Sequence, residues 1–291
     1  MGTDGNGRWV LVTGASSGIG RACALHLDSL GFRVLGTVRR EADAAQLCES
    51  SSDRIIPLML DVTDEASIAA VAQQVGRVVG PAGLYGLLNN AGVGFIVPLE
   101  AVSLADLRAV FEVNVFGAVA VTSALLPLLR LARGRLVSVS SIASLFAVPF
   151  HGPYSATKTA LNTLSDTLRL ELRPHGVHVS IVICGSVATR IWTSASEWSA
   201  RLADDYPPEI RDAYFEDFRR VRAYAMRSAR AGIPPEQAAR VISRAFTDSR
   251  PRIRYHVGPD ARLFAVADRL LGRRLRDRVL LRSIARTRLE S

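Results

Sequence analysis

Short apolar runs and longer mixed segments alternate along the first two-thirds of the chain. Trp9 to Thr13, Arg33 to Val38, Arg54 to Leu60, Leu84 to Asn89, Gly134 to Ser140 and Val177 to Cys184 are each nearly continuous in apolar character. Strands buried on both faces read this way, whereas strands half open to water alternate. The segments between them, at about 19–31, 41–50, 64–79, 103–130 and 154–174, have helical patterns. Asp64 ahead of Glu65, and Ser103 with Asp106 three residues on, are N-cap signals. This βαβαβ rhythm predicts the α/β class: one doubly wound parallel sheet with helices on both faces, joined by right-handed crossovers.

Residues Ile191 to Ile233 break the rhythm. The stretch is aromatic and charged, carries Pro207-Pro208 in its middle, and is long enough for two short helices outside the sheet. Arg252 to Val257 returns to strand character, and Ala261 to Arg288 is helical and amphipathic. The whole chain, 1–291, is expected to be a single domain, with a cover at about 191–233 and a basic helical tail at about 259–291.

Composition adds limits. With 48% hydrophobic and 22% charged residues, the 291-residue chain can bury a large core, so global disorder is not expected. No uninterrupted apolar stretch reaches ~18 residues, so no transmembrane helix is expected. The polar, glycine-rich start from Met1 to Arg8 lacks the apolar core and cleavage site of a signal peptide. Cys23, Cys48 and Cys184 have the spacing of neither a disulfide framework nor a zinc site, and the five histidines offer no metal spacing. Free thiols in a reducing cytoplasm are the expected state.

The net charge of +9 is concentrated at one end. From Arg250 to Ser291, 12 arginines face four acids, which gives +8 and leaves the other 249 residues almost neutral. That distribution argues against a nucleic-acid-binding domain. In the tail, Leu263, Val266, Leu270 and Leu271 can share one face with Arg269, Arg273, Arg274 and Arg276 nearby. Such a helix can lie on an anionic membrane surface or pack, solvated, on its own domain. The second reading is the expectation.

The chemistry begins directly after the first strand, at Thr13-Gly14-Ala15-Ser16-Ser17-Gly18-Ile19-Gly20. Glycines at 14, 18 and 20 permit positive φ and close backbone approach. The helix N-terminus behind them presents free N–H groups and a positive dipole end, a seat for a pyrophosphate. This context makes the sheet Rossmann-like, with Gly14, Ser17, Gly18, Ile19 and Gly20 as cofactor contacts. The same residues also match G-x-S-x-G, the nucleophile elbow of serine hydrolases, with Ser16 as nucleophile. An elbow needs an oxyanion loop from an earlier strand, and only 13 residues precede Gly14. The cofactor loop is the better reading.

A second signal is the lysine count. Of 36 basic residues, the only lysine is Lys158, four residues after Tyr154. On a helix this spacing puts both side chains on one face. An ammonium beside a phenol is expected to lower a pKa that starts near ~10.

Taken together, the loop and Tyr154-x-x-x-Lys158 resemble the short-chain dehydrogenase/reductase family. Further matches follow in order: Asp61-Val62-Thr63 after the third strand, Asn89-Asn90-Ala91-Gly92 after the fourth, Asn114 in Asn114-Val115-Phe116-Gly117, and Ser141 13 residues before Tyr154. The resemblance covers about residues 8–190. It implies a catalytic set of Ser141, Tyr154, Lys158 and Asn114. Tyr154 would be the acid or base, Ser141 would orient the carbonyl oxygen, and Lys158 would hold the ribose and tune the phenol. Asn114 would hold a relay water.

The same resemblance implies cofactor contacts from Asp61, Val62, Asn90, Ala91, Gly92, Gly185, Val187 and Thr189, with Tyr154 and Lys158 also touching the cofactor. The family's usual Pro-Gly is here Cys184-Gly185. That variant, Arg39 and the Arg-Ile-Arg-Tyr strand are similar to the branch with 17β-hydroxysteroid and retinol dehydrogenases. The segment at 191–233 then takes the place of a substrate lid, and its apolar residues suggest a lipophilic substrate. The resemblance also implies a homodimer or homotetramer through the helices at 103–130 and 154–174.

Cofactor choice follows from the second strand, which ends Thr37-Val38-Arg39-Arg40 with no acid until Glu41. An acid there would bind the ribose 2′-OH of NAD, whereas arginine suits the 2′-phosphate. NADP(H) is expected over NAD(H), its 2′-phosphate held by Arg39 and Arg40, with Ser17 adding a hydroxyl. The expected function is ketone or aldehyde interconversion with an alcohol by hydride transfer. A dinucleotide-binding regulatory protein without turnover is the alternative.

Overall fold

The computed structural model describes residues 5–286 apart from residue 205. Residues 1–4 of the N-terminal stretch and 287–291 of the expected tail lie outside the described residues. Seven strands, β1 (Trp9–Val12), β2 (Arg33–Val38), β3 (Ile55–Met59), β4 (Gly86–Asn89), β5 (Arg135–Ser141), β6 (His178–Cys184) and β7 (Arg254–Val257), form one sheet. All neighbours are parallel, in the order β3-β2-β1-β4-β5-β6-β7. Winding therefore reverses between β1 and β4. Rossmann-like sheets bind ligands at the strand C-termini beside such a switch point.

Around the sheet lie α1 (Gly18–Ser29), α2 (Glu41–Glu49), α3 (Glu65–Val79), α4 (Leu104–Phe111), α5 (Ala118–Leu131) and α6 (Gly152–Glu171). They are followed by α7 (Ile191–Asp204), α8 (Pro208–Arg230), α9 (Pro235–Thr247), α10 (Pro259–Leu270) and α11 (Arg273–Ala285). Alternation along each strand feeds two separate cores. Val10, Val12 and Val137 join Leu27, Ile242 and Phe246 on one face. Leu11, Leu87 and Leu136 join Val75, Leu125 and Leu129 on the other. Each such side chain contributes roughly 1.5–3 kcal/mol when buried, enough to fix the sheet between its helix layers. Both expected N-caps are present: Asp64 Oδ1 accepts from Ala66 N at 3.0 Å and Ser103 Oγ from Asp106 N at 3.0 Å.

The structure departs from the sequence expectations at four places. The helix expected at 103–130 is α4 and α5 joined by a π-helical stretch, Glu112–Gly117. The run Leu104–Leu131 is long and apolar enough to cross a membrane by length and composition. Its inward residues, including Val121, Leu125 and Leu129, instead fill the second core. No element is expected between 233 and 252, yet α9 lies there. It starts on Pro235 and buries Ala238, Ala239, Ile242, Ala245 and Phe246 against the first core.

The tail helix expected over 261–288 is two helices, with α10 ending at Leu270 and α11 starting at Arg273 after Gly272. Most consequentially, the tail's apolar face does not pack on the domain. Leu263, Val266 and Leu270 point to solvent, because Ala261 and Phe264 make the inward contacts of α10.

Candidate active site

The C-terminal ends of β1, β4, β5 and β6 deliver four loops to one crevice. After β1, Gly14 and Gly18 have φ of 67° and 56°, in the left-handed region that favours glycine. At Gly20 the need is space: a Cβ there would lie 2.2 Å from Gly14 O. Ser17 sits at the N-cap of α1 with extended backbone and makes no side-chain cap. The first N–H groups of α1 thus have no capping side chain, and such groups attract an anion. This is a cradle that fits a dinucleotide pyrophosphate.

Thr13 ties this loop to the next. Its Oγ1 accepts from Asn90 N at 2.9 Å and Ala91 N at 3.0 Å, and donates to Leu88 O at 3.2 Å. Asn90 Nδ2 returns to Thr13 O at 2.9 Å and Gly14 O at 3.2 Å. Sequence reading missed Thr13, although its hydroxyl at a strand end was visible. Asn89, by contrast, serves the sheet, donating to Thr122 Oγ1 at 2.7 Å.

Asn114 stands in the π-helical stretch, a form often found at functional sites. Its side chain is fully committed as a donor: Nδ2 gives to Val93 O at 2.8 Å and Thr157 Oγ1 at 3.0 Å, while Oδ1 accepts from Val93 N at 2.8 Å. The pairing joins the loop after β4 to α6. Gly92 is pressed into the same corner, with a Cβ there 3.2 Å from Asn114 Oδ1 and 3.5 Å from Lys158 Nζ.

Ser141 at the end of β5 lies beside the Tyr154 phenol of α6 and favours its ionised form, and its Oγ accepts from Ala143 N at 3.1 Å. Its neighbour Ser140 is buried and turned to Ser144 at 3.3 Å. Tyr154 packs over Gly94, where a Cβ would be 2.9 Å from the ring; this glycine also escaped the sequence reading. Lys158 is buried, donates to Val139 O at 2.9 Å, and stands 5.7 Å from the Tyr154 ring centroid.

The electrostatics correct one expectation. Burial, with Cys184 adding to it, pushes the Tyr154 phenol above its ordinary value, and the neighbouring Ser141 hydroxyl only partly opposes this. Burial also pulls the Lys158 ammonium down to about 8. Lys158 stands over the ring but does not figure among the influences on the phenol, which desolvation dominates. Cys184 pairs in register with Ser141, and burial raises its thiol to about 12. It is a protonated packing residue.

The loop after β6 is held from two sides. Val187 bridges Ile233, and Ala188 N donates to Ile233 O at 3.0 Å. From the other side Asp260, at the start of α10, accepts from Ser186 N at 2.6 Å. A Cβ on Gly185 would fall 1.9 Å from the Asp260 carboxylate, so this glycine makes room for Asp260. Thr189 approaches the cradle, 3.2 Å from where a Gly18 Cβ would be.

At the outer end, Arg39 is exposed while Arg40 forms a two-pronged ion pair with Asp43 at 2.7 and 2.8 Å. Arg40 is thus held by Asp43 while its side chain stays open to solvent. Asp43 is held low mainly by Arg40, with Arg190 and Arg39 contributing. Arg190 is thus a third cation at this end, unforeseen because it follows β6. Asp61 accepts from Thr63 N and Oγ1 at 2.9 and 2.7 Å, bonds that keep its carboxyl low together with Arg39. Val62 packs beneath Gly117.

Two helices roof the crevice. Trp198 of α7 meets Phe95 edge-on at 4.7 Å, and Phe218 of α8 meets Phe150 at 6.2 Å. Ser199 Oγ accepts from Ile96 N at 2.8 Å. These helices also make apolar contacts with the loops below, through Ile96, Trp192 and Phe218 on one side and Phe95 and Trp198 on the other. Ser16 has no hydrogen-bonded histidine among the described residues, so nothing assembles a hydrolase there.

Comparison with known proteins agrees with this geometry. Residues 8–200 match the family model described as short chain dehydrogenase. An NADPH-dependent 3-dehydrocapnine reductase of Ornithobacterium rhinotracheale is 32% identical over 98% of this chain and 100% of its own. The 17-beta-hydroxysteroid dehydrogenase type 6 of Rattus norvegicus is 38% identical over 89% of this chain and 83% of its own. For retinol dehydrogenase 5 of Mus musculus the figures are 37%, 94% and 87%. A short-chain dehydrogenase structure from Streptomyces avermitilis superposes with a TM-score of 0.77 at 30% identity, covering 98% of this chain and 100% of that one.

Proposed function

The chain belongs to the short-chain dehydrogenase family, and from that premise we propose that it is an NADPH-dependent reductase of a lipophilic ketone. That it is an oxidoreductase acting between C=O and CH–OH with a nicotinamide cofactor follows from the family and its branch. The observation that carries the finer reading is Arg39, exposed just past the end of β2, where an acid would select NAD. Buried and protonated, Tyr154 can give its proton to a developing alkoxide, a transfer that is most efficient when the pKa lies near working pH.

The bound nicotinamide would supply the hydride. Ser141 orients the carbonyl oxygen and Tyr154 delivers the proton to it. Lys158 holds the ribose hydroxyls and replenishes the phenol. The relay water implied for Asn114 would use acceptor capacity there, since both amide hydrogens are engaged. Gly14, Ser17, Gly18, Ile19 and Gly20 would cradle the pyrophosphate, and Asp61 and Val62 would meet the adenine. Asn90, Ala91 and Gly92 would line the ribose side, with Gly185, Val187 and Thr189 on the carboxamide side.

The NADP preference rests on Arg39, exposed and without a carboxylate hydrogen bond among the described residues, with Arg190 in the same field. The lipophilic substrate rests on the apolar roof formed by α7 and α8, the lid of a single-domain enzyme. The reductase from Ornithobacterium rhinotracheale, a relative over its full length, adds support for the direction. Cys23, Cys48 and Cys184 carry free thiols, which fits a cytoplasmic location. The experiment is a panel of steroid, retinoid and long-chain ketones, followed by loss of reduced-cofactor absorbance with NADPH and with NADH. Oxidation of NADPH in preference to NADH by a long-chain or polycyclic ketone is expected. Preference for NADH, or turnover confined to small polar carbonyls, would overturn the reading.

A further inference from the structure

We propose that the α10–α11 pair is a docking surface for an anionic lipid bilayer. A surface helix ordinarily turns its apolar stripe inward. On α10, Leu263, Val266 and Leu270 share a face at spacings of three and four, and that face is open: Leu263 is 68% and Leu270 76% exposed. The helix holds to the domain through Ala261 and through Phe264, which meets Phe146 edge-on at 4.7 Å. α11 touches the domain along one ridge, Arg276, Leu280 and Ile284, and leaves Leu275, Val279 and Leu281 exposed.

Arginines interleave with these leucines. Residues 259–286 carry eight arginines against Asp260, Asp268 and Asp277. Asp260 is turned inward on Ser186 and Asp268 is paired with Arg276, so the outer surface is strongly positive. Long arginine stems can lie along apolar groups while the guanidinium reaches phosphate. Apolar side chains flanked by cations suit the boundary between headgroups and acyl chains.

Other occupants fit less well. A second copy would set one arginine field against another. A nucleic acid would satisfy the arginines and leave six apolar side chains in water.

The location gives the surface a use. Leu280 and Ile284 pack in one cluster with Ile96, Val221 and the roof residues Phe150 and Trp192. Phe264 and Arg276 rest on Phe146, five residues from Ser141. A bilayer against α10 and α11 would therefore adjoin the apolar crevice, from which a lipophilic ketone could enter without crossing water. This use rests on the proposed substrate class, whereas the docking surface itself is tested without turnover.

The test is co-sedimentation of the full chain with vesicles of phosphatidylcholine alone, or of equal parts phosphatidylcholine and phosphatidylglycerol. Binding to the mixed vesicles at low salt, and release at high salt, is expected. Leu263→Ser/Leu270→Ser should weaken binding about tenfold or more, since serine removes the apolar insertion. Arg273→Gln/Arg274→Gln should do so at roughly fivefold per arginine. Both variants should reduce a water-soluble ketone at the wild-type rate. No sedimentation of wild type with the mixed vesicles, or equal sedimentation of wild type and variants, overturns the proposal. So does a wild type that ignores vesicles but loses mass by light scattering on Leu263→Ser/Leu270→Ser, which would make the face a self-contact. Failure to turn over any ketone would instead strike the proposed function and leave vesicle binding standing.

Discussion

At the residue scale, the lone lysine is the group whose surroundings matter most. The i,i+4 spacing of Tyr154 and Lys158 and the position of Ser141 were legible because they depend only on order along one helix and one strand. The direction of the phenol's pKa was not, because it depends on how much protein encloses the ring. Burial lowers the folded-state pKa of Lys158 to about 8, whereas its ordinary value is 10.5. Between those values the unfolded chain holds more protons, so this residue makes stability rise with pH from about 8 to 10. Tyr154, raised in the fold, works in the opposite sense only above its usual 10, and Cys184 above its usual 9.0. Urea unfolding of wild type and Lys158→Met at pH 8 and 10 should isolate the lysine. The wild type is expected to gain on the order of 2 kcal/mol relative to the variant across that window. Parallel pH dependence of the two proteins would show that Lys158 carries no such burial penalty.

At the element scale, the loop after β6 is held by a helix that begins 74 residues after it. Asp260 accepts from Ser186 N and Ala261 N at 2.6 and 2.9 Å. Removing a charged acceptor from a buried N–H costs about 1–3 kcal/mol. Asp260→Ala is expected to lower unfolding free energy by about that amount and NADPH affinity about tenfold, roughly 1.4 kcal/mol. Asp260→Asn keeps an acceptor oxygen and should recover most of the affinity. Fluorescence titration and urea unfolding read the two effects; unchanged NADPH affinity in Asp260→Ala would mean that the loop holds itself. Nothing in the local sequence points from Asp260 to Gly185, because the two meet only when β6 and β7 pair. Arg190 beside Asp43 and Gly94 beneath Tyr154 were hidden for the same reason. The helix α9 was not hidden: Ala238, Ala239, Ile242, Ala245 and Phe246 have helical spacing after an N-terminal proline. It lay between a broken-up lid and a short strand, where the βα alternation no longer guides the eye. Tail amphipathicity was visible too, but which side meets the domain is a tertiary fact.

At the scale of the whole molecule, the strand rhythm predicted the seven-stranded parallel sheet well, because a strand buried on both faces leaves a continuous apolar record. Assembly is a matter of what that sheet's outer helices leave uncovered. Phe116, Val119, Leu164 and Leu170 are exposed on α5, α6 and the π-helical stretch before α5. We propose that they pair copies of the chain into a dimer or tetramer. Phe116→Asp/Leu170→Asp is expected to lower the mass found by light scattering to that of one chain, and an unchanged mass would refute this face as the interface. The proposed proton transfer within the crevice has the most direct test of all. Tyr154→Phe removes only the hydroxyl that faces Ser141, so NADPH titration should give an affinity within about threefold of wild type, since only one hydrogen-bonding group is lost. Turnover of the best ketone from the panel should fall by about 10²–10⁴, the range for general acid–base catalysis. Turnover within tenfold of wild type, with cofactor still bound, would contradict the account.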